Sequence, residues 1–229
     1  MANDVKRPRP YESPRRREQA AATRRTILAA AQRLFERDGY SATSVPAIAD
    51  EAGVAVKTVY LGFETKAKLL RALWDERLGG DEAGVPLKDR ASYRAVVEEV
   101  DPERQLRLLA ARSRAVKTRS GALMEVIRNA ATADPDIANL WRDIQAKLLD
   151  VQRSVVNQLH ERGVLATTDV RSAVDILWTL NHPSVWQLLV RERDWTEEQY
   201  EQWLGDILCS QLLKAKRERA RVPRGTDRS

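Results

Sequence analysis

The sequence predicts an all-α fold, and three observations carry that prediction. Ala, Leu, Arg and Glu dominate a chain of 229 residues, and all four suit helices. Gly and Pro are scarce, at ten and nine. Apolar residues recur at helical spacing along most of the chain, and no run alternates with period two for long. The 43% apolar content supports a packed core, and the 31% charged content suits a solvated helical surface. Cys209 is the single cysteine, which excludes a disulfide scaffold within one chain and fits a reducing cytoplasm. No stretch of about 18 apolar residues exists, so no membrane span is expected. No apolar leader segment is seen, so a secretory signal is not expected.

Taken in order, residues 1–18 hold six basic residues and three prolines with no apolar period, and are expected to form a disordered basic arm. Its Arg15-Arg16-Arg17 run either follows a phosphate backbone or solubilises the chain. A helix over 18–37 follows, apolar at Ile27, Ala31, Leu34 and Phe35, with Gly39 as its left-handed stop. Ser44 can cap the next helix, with Pro46 in its first turn; Val45, Ile48, Ala49 and Ala52 form its apolar side. Gly53 ends it, and a short helix over 55–61 follows. Thr65 caps a longer helix with a stripe of Leu69, Leu70, Leu73, Trp74 and Leu78, closed by Gly79-Gly80. Residues 81–101 are mixed and read as a loop with room for a turn of helix. Two helices, over 102–117 and 122–133, come next. Asp134 with Pro135 opens a long helix striped by Ile137, Leu140, Trp141, Ile144, Leu148, Val151, Val155 and Leu159. Thr168 caps a helix over 169–180, and Pro183 interrupts before 185–191. Thr196 opens the last helix, to about 217, before a disordered tail over 218–229. The domains expected are the arm, a first helical unit over 19–80, and a second helical unit over 81–217.

Charge supports that division. Residues 1–80 hold 15 Lys and Arg against 10 Asp and Glu, whereas 81–229 hold 24 against 23. A basic first third suits a polyanion, although an ordinary basic surface reads the same. Residues 44–61 form two short helices joined by a tight Gly-containing turn, the shape of a helix-turn-helix. Ile48, Ala49, Val54 and Val59 would pack inward, leaving Val56, Lys57, Thr58 and Tyr60 facing out. One cation, one hydroxyl, one aliphatic group and one phenol suit base edges and phosphates. Lys66 opens the following helix, where its charge and the first N–H groups can meet a phosphate.

The stretch "TRRTILAAAQRLFERDGYSATSVPAIADEAGVAVKTVYLGFETKAKLL" resembles the DNA-binding domain of the tetracycline-repressor (TetR) family of bacterial transcriptional regulators. The resemblance rests on Leu34-Phe35, Gly39-Tyr40, Thr43-Ser44, Ile48-Ala49, Ala52-Gly53-Val54, Thr58-Val59-Tyr60, Phe63, Lys66 and Leu69-Leu70. It implies that Val56, Lys57, Thr58 and Tyr60 contact DNA, with Ser44 and Lys66 on phosphates. Three residues depart from the family pattern. Lys57 stands where a small residue is frequent and adds a charge. Gly62 replaces a frequent His and removes a phosphate contact. Ala55 replaces a Ser cap, a change that costs about 1 kcal/mol.

The remainder has no catalytic constellation, so an enzyme is not expected. His160 and His182 have no metal-ligand spacing with Cys209, and no phosphate loop or dinucleotide fingerprint appears; no metal or cofactor is expected. Its tryptophans either fill the core or line a cavity. Trp178 and Trp186 flank the break at Asn181-His182-Pro183, where unpaired carbonyls call for an answer. The candidate effector pocket is Met124, Trp141, Leu148, Trp178, Asn181, His182 and Trp186, for a mostly apolar ligand. In the resembled family, two C-terminal helices of each subunit make a four-helix dimer interface. That points here to 169–191 and 196–215, with Tyr200, Trp203, Leu204, Ile207, Leu208 and Leu212 at the contact. The functional expectation is a homodimeric repressor, released from a palindromic double-stranded DNA operator by a small molecule. The competing reading is an all-α enzyme or protein-interaction module with a helical N-terminus.

Overall fold

The computed structural model describes residues 14–80 and 84–215. The chain divides into two compact units, residues 1–73 and 74–229. Most of the expected basic arm and all of the expected tail lie outside the described residues.

In the first unit, α1 spans Pro14–Asp38. It begins four residues before the predicted start, so Arg15, Arg16 and Arg17 stand exposed on its first turns. Its buried stripe is Ile27, Leu28, Ala30, Ala31, Leu34 and Phe35. Gly39 takes φ +81°, and its N–H reaches Phe35 O at 3.0 Å, which ends the helix as expected. Helix α2 is Val45–Ala52, α3 is Val56–Phe63 and α4 is Lys66–Gly79. Thr65 Oγ1 accepts Lys68 N–H at 3.1 Å and caps α4. Phe63 is core, and the Arg24 guanidinium lies 4.4 Å over its ring.

The second unit holds a 3₁₀ turn at Leu87–Asp89 and a short α5, Ala91–Val97, in the stretch read as a loop with a turn of helix. Val96 is the reason: it is buried and anchors that turn of helix to the core. Helix α6 runs unbroken over Pro102–Ala130, 29 residues, and replaces the two predicted helices. Gly121 falls in the gap between those two predicted segments, and in the continuous helix it is a clearance: a Cβ there would stand 3.3 Å from Trp186 Nε1. Helix α7 is Pro135–Glu161, capped by Asp134, and α8 is Val170–Leu180, capped by Asp169 and not by Thr168. Helix α9, Pro183–Trp186, continues into a π turn over Gln187–Glu192. The last helix, α10, is Glu197–Leu212, opened by a capping box between Thr196 and Gln199. Among the described residues there is no strand, only one antiparallel bridge between Leu165 and Leu213.

The core of this unit forms where α6, α7, α8 and α10 meet, around Leu106, Leu109, Val155, Leu159, Leu177 and Leu208. That packing overturns part of the expected dimer face. Tyr200, Leu204, Leu208 and Leu212 recur every fourth residue on α10, and each is 0% exposed within its own subunit. They face α6, where Gly205 brings the two helices close: a Cβ there would meet Arg107 Cγ at 3.4 Å. They are therefore unavailable to a second copy. Trp203 and Ile207 lie on the flank of that stripe and remain partly exposed.

Candidate nucleic-acid interface and ligand cavity

Helices α2 and α3 owe their mutual angle to a few residues. Ser44 Oγ accepts Ala47 N–H at 3.2 Å and starts α2. Gly53 at φ +65°, ψ +35° stops it and turns the chain, with Val54 N–H reaching back to Ala49 O at 2.9 Å. Ala55 offers α3 no side-chain cap, so the short helix depends on packing. Val59 and Phe63 supply that packing on one face of α3; Ile48 and Ala49 are fully buried in α2. On the opposite face, Lys57 and Tyr60 are exposed, and Val56 and Thr58 are half-buried. Tyr60 is 49% exposed and Leu61 77%. Leu61 is apolar, yet nothing among the described residues packs over it. It follows Lys57 by one helical turn and extends the outward surface.

Lys66 stands elsewhere than expected. Its ammonium donates to Tyr40 O at 2.8 Å and Thr43 O at 2.9 Å, and sits 4.1 Å from the Tyr40 ring centroid. The side chain ties the start of α4 to the loop between α1 and α2. No local pattern in the sequence signals that contact, because its partners are main-chain carbonyls more than 20 residues away.

Residues 27–73 match the sequence profile described as bacterial regulatory proteins, tetR family. The chain is 30% identical over 144 residues to the HTH-type transcriptional regulator TtgR of Pseudomonas putida, an alignment spanning 62% of this chain and 66% of that relative. Residues 27–73 are thus a TetR-family DNA-binding domain by sequence. The alignment thus spans just under two thirds of the relative's length. Among solved structures, NalD of Pseudomonas aeruginosa, the secondary repressor of the MexAB-OprM multidrug efflux pump, superposes with TM-score 0.64 at 21% identity, covering 86% of this chain and 98% of that one. FadR of Bacillus subtilis, in complex with stearoyl-CoA, gives TM-score 0.65 at 19% identity, covering 81% and 97%. At those identities the likeness is one of fold.

The second unit of this chain contains a cavity of about 390 Å³. Its walls are mostly apolar, with Trp74, Leu78, Val116, Met124, Ile144 and Leu148 among them. Arg90, Arg112, Lys147 and Asp75 also reach it. A smaller void of about 30 Å³ shares the wall formed by Arg112, Val116, Met124, Leu148 and Val151, and touches Ser113, Lys117 and Asn181. Of the seven sequence-predicted pocket residues, Met124 and Leu148 line the large cavity and Asn181 the small void.

The other four are placed differently. Trp186 is fully buried core, edge-on to Tyr200 with ring centroids 4.8 Å apart. Trp178 packs on the His182 ring at 4.6 Å. His182 answers the helix break itself: Nδ1 accepts Ser184 N–H at 3.1 Å and caps α9. That acceptor role requires a neutral ring nitrogen, and burial, then the nearby Lys117 and Arg128 charges, hold its pKa below the usual value. Trp141 borders only a crevice of about 10 Å³. Trp74, Ile144, Arg90 and Arg112 were missed by sequence reading, because an apolar stripe looks the same facing a cavity or facing a core.

Behind the small void lies a buried polar knot. Lys117 is 4% exposed, and its Nζ lies 2.9 Å from both Asn181 O and Asn181 Oδ1 and 2.5 Å from Tyr200 Oη. Ser113 Oγ donates to Asn181 Oδ1 at 2.5 Å. Burial pushes the Lys117 pKa well below the usual lysine value, and burial pushes the Tyr200 phenol up. The described residues contain no group of three or more His, Cys, Asp or Glu able to hold a metal ion.

Proposed function

We propose that this chain is a DNA-binding transcriptional repressor that works as a homodimer and releases its operator when a small molecule fills the cavity of the second unit. The observation that carries the reading is α3: a short helix fixed by Val59 and Phe63, presenting Lys57, Tyr60 and Leu61 to solvent behind a Gly53 turn. Val56, Lys57, Thr58 and Tyr60 are proposed to read base edges and phosphates in the major groove. Ser44 is proposed to give its hydroxyl proton to a phosphate while still accepting from Ala47. Lys66 is proposed to hold the fold and not the phosphate backbone. TtgR carries the name of an HTH-type transcriptional regulator and NalD that of a repressor, and both support this direction. Neither supports an enzyme.

Two recognition helices must stand about 34–36 Å apart to read successive half-sites, which asks for two subunits. The surface proposed for the partner is the outer side of α10, where Trp195, Trp203 and Ile207 line a shallow groove of about 530 Å³. The cavity of about 390 Å³ lies in the range of small-molecule sites. Its occupant would act by binding better to the subunit geometry that cannot hold DNA, and a coupling of roughly 1–3 kcal/mol weakens the operator complex about 5- to 150-fold. With no membrane-spanning helix among the described residues, the cytoplasm is the proposed location.

Fluorescence anisotropy with the DNA upstream of the chain's own coding sequence tests the proposal. Specific binding to a palindrome, with log affinity falling linearly with log salt, is the expected result. Equal affinity for a scrambled duplex would refute it.

A further inference from the structure

Lys117 is a charge-bearing group with no counter-charge among the described residues. It lies inside the helical core, and its three hydrogen bonds go to a main-chain carbonyl, an amide oxygen and a phenol. No carboxylate of the described residues pairs with it, and burial is the one cause of its lowered pKa. A lysine buried this way costs stability unless something compensates the ammonium. It borders a void of about 30 Å³, room for about one water or one small polar group. Five residues wall both that void and the apolar cavity of about 390 Å³. The cationic bias continues outward: Arg112 touches both spaces, Arg90 and Lys147 reach the larger one, and Asp75 is the single acid among the described residues on either.

We infer that the effector is an amphiphilic acid: its apolar chain fills the cavity between Trp74, Ile144 and Leu148, and its carboxylate enters the small void to become the counter-ion of Lys117. This rests on the reading of the cavity as the effector site. Met124, on the shared wall, is the flexible side chain that must move to join the two spaces. An ammonium has three N–H donors, and Lys117 directs all three at Asn181 and Tyr200. An incoming carboxylate therefore displaces one of them. Asn181 is the C-cap of α8 and Tyr200 belongs to α10, so the exchange loosens α6 from one of the two helices proposed to carry the dimer. The acid thus changes the contact that sets subunit geometry, and an uncharged ligand of the same shape does not.

Calorimetric titration of the full chain at pH 7 with decanoate, decanol and decyltrimethylammonium tests the inference. Decanoate is expected to bind at least about ten-fold tighter than decanol, the size of one charge-assisted hydrogen bond, with the ammonium amphiphile weakest. Lys117→Met, checked for folding by circular dichroism, should bring decanoate and decanol to equal affinity. Equal binding of acid and alcohol by the parent chain would overturn the acid subsite while leaving the cavity as effector site. So would an acid preference that survives Lys117→Met but vanishes in Arg90→Gln/Lys147→Gln, which would place the acid at the outer cations. If none of the three amphiphiles binds, the effector-cavity reading fails together with this inference.

Discussion

Replacing Lys66 by Met removes an ammonium that donates to Tyr40 O at 2.8 Å and Thr43 O at 2.9 Å. It also removes a cation held 4.1 Å from the Tyr40 ring centroid. Hydrogen bonds to a charged group contribute about 1.5–3 kcal/mol each, and a cation on an aromatic face about 0.5–1 kcal/mol at exposed sites. Lys66 is half-buried, so water can reach part of what is uncovered, and Met retains the packing of the aliphatic stem. The expected net loss is about 2–3 kcal/mol in the first unit. Operator affinity should fall with it, but the slope of log affinity against log salt should stay where it was, because no phosphate contact is lost. Lys57→Gln is the control. Lys57 is exposed, so stability should hold while the salt slope shrinks by about one unit for each phosphate contact removed. Urea unfolding followed by circular dichroism, with amide exchange at residues 40–45, reads the first effect. Anisotropy at salt concentrations from about 50 to 200 mM reads the second. A Lys66→Met protein of parental stability with a reduced salt slope would refute the reasoning and return Lys66 to the phosphate backbone.

Gly53→Ala should cost roughly 1–2 kcal/mol in urea unfolding, from the left-handed backbone alone, since a Cβ there meets nothing within 4 Å; Gly53→Asn should cost less. Lys117 binds its proton more weakly when folded than when unfolded, so stability should rise with pH from the depressed pKa towards the unfolded value near 10.4. Between about pH 7.5 and 9.5, above the titration of His182 and below that of Tyr200, that slope should flatten in Lys117→Met; an unchanged slope in chemical denaturation would reject Lys117 as its source. Trp203→Glu should shift the sedimentation of micromolar protein from dimer to monomer with its helix content intact, whereas a dimer that persists would move the interface away from α10.

What the sequence determined by itself was the local part of the molecule. Helix starts and stops at Ser44, Gly53, Thr65 and Asp134 depend on side chains within three or four residues of the backbone groups they satisfy, so adjacent letters suffice to read them. The helix-turn-helix was legible for the same reason: inward Ile48, Ala49 and Val59, outward Lys57 and Tyr60, all within one short stretch. The tertiary structure decided which partner each buried face meets. That α6 runs on through Gly121 becomes clear only when the Trp186 ring is seen beside its missing Cβ. The stripe Tyr200-Leu204-Leu208-Leu212 has the same period whether it packs on its own α6 or on another subunit, and only the fold turns it inward. Lys66 and Lys117 look like ordinary helix-surface lysines in sequence. Their burial, and the carbonyls they serve, come from segments more than 20 residues away, where periodicity carries no information.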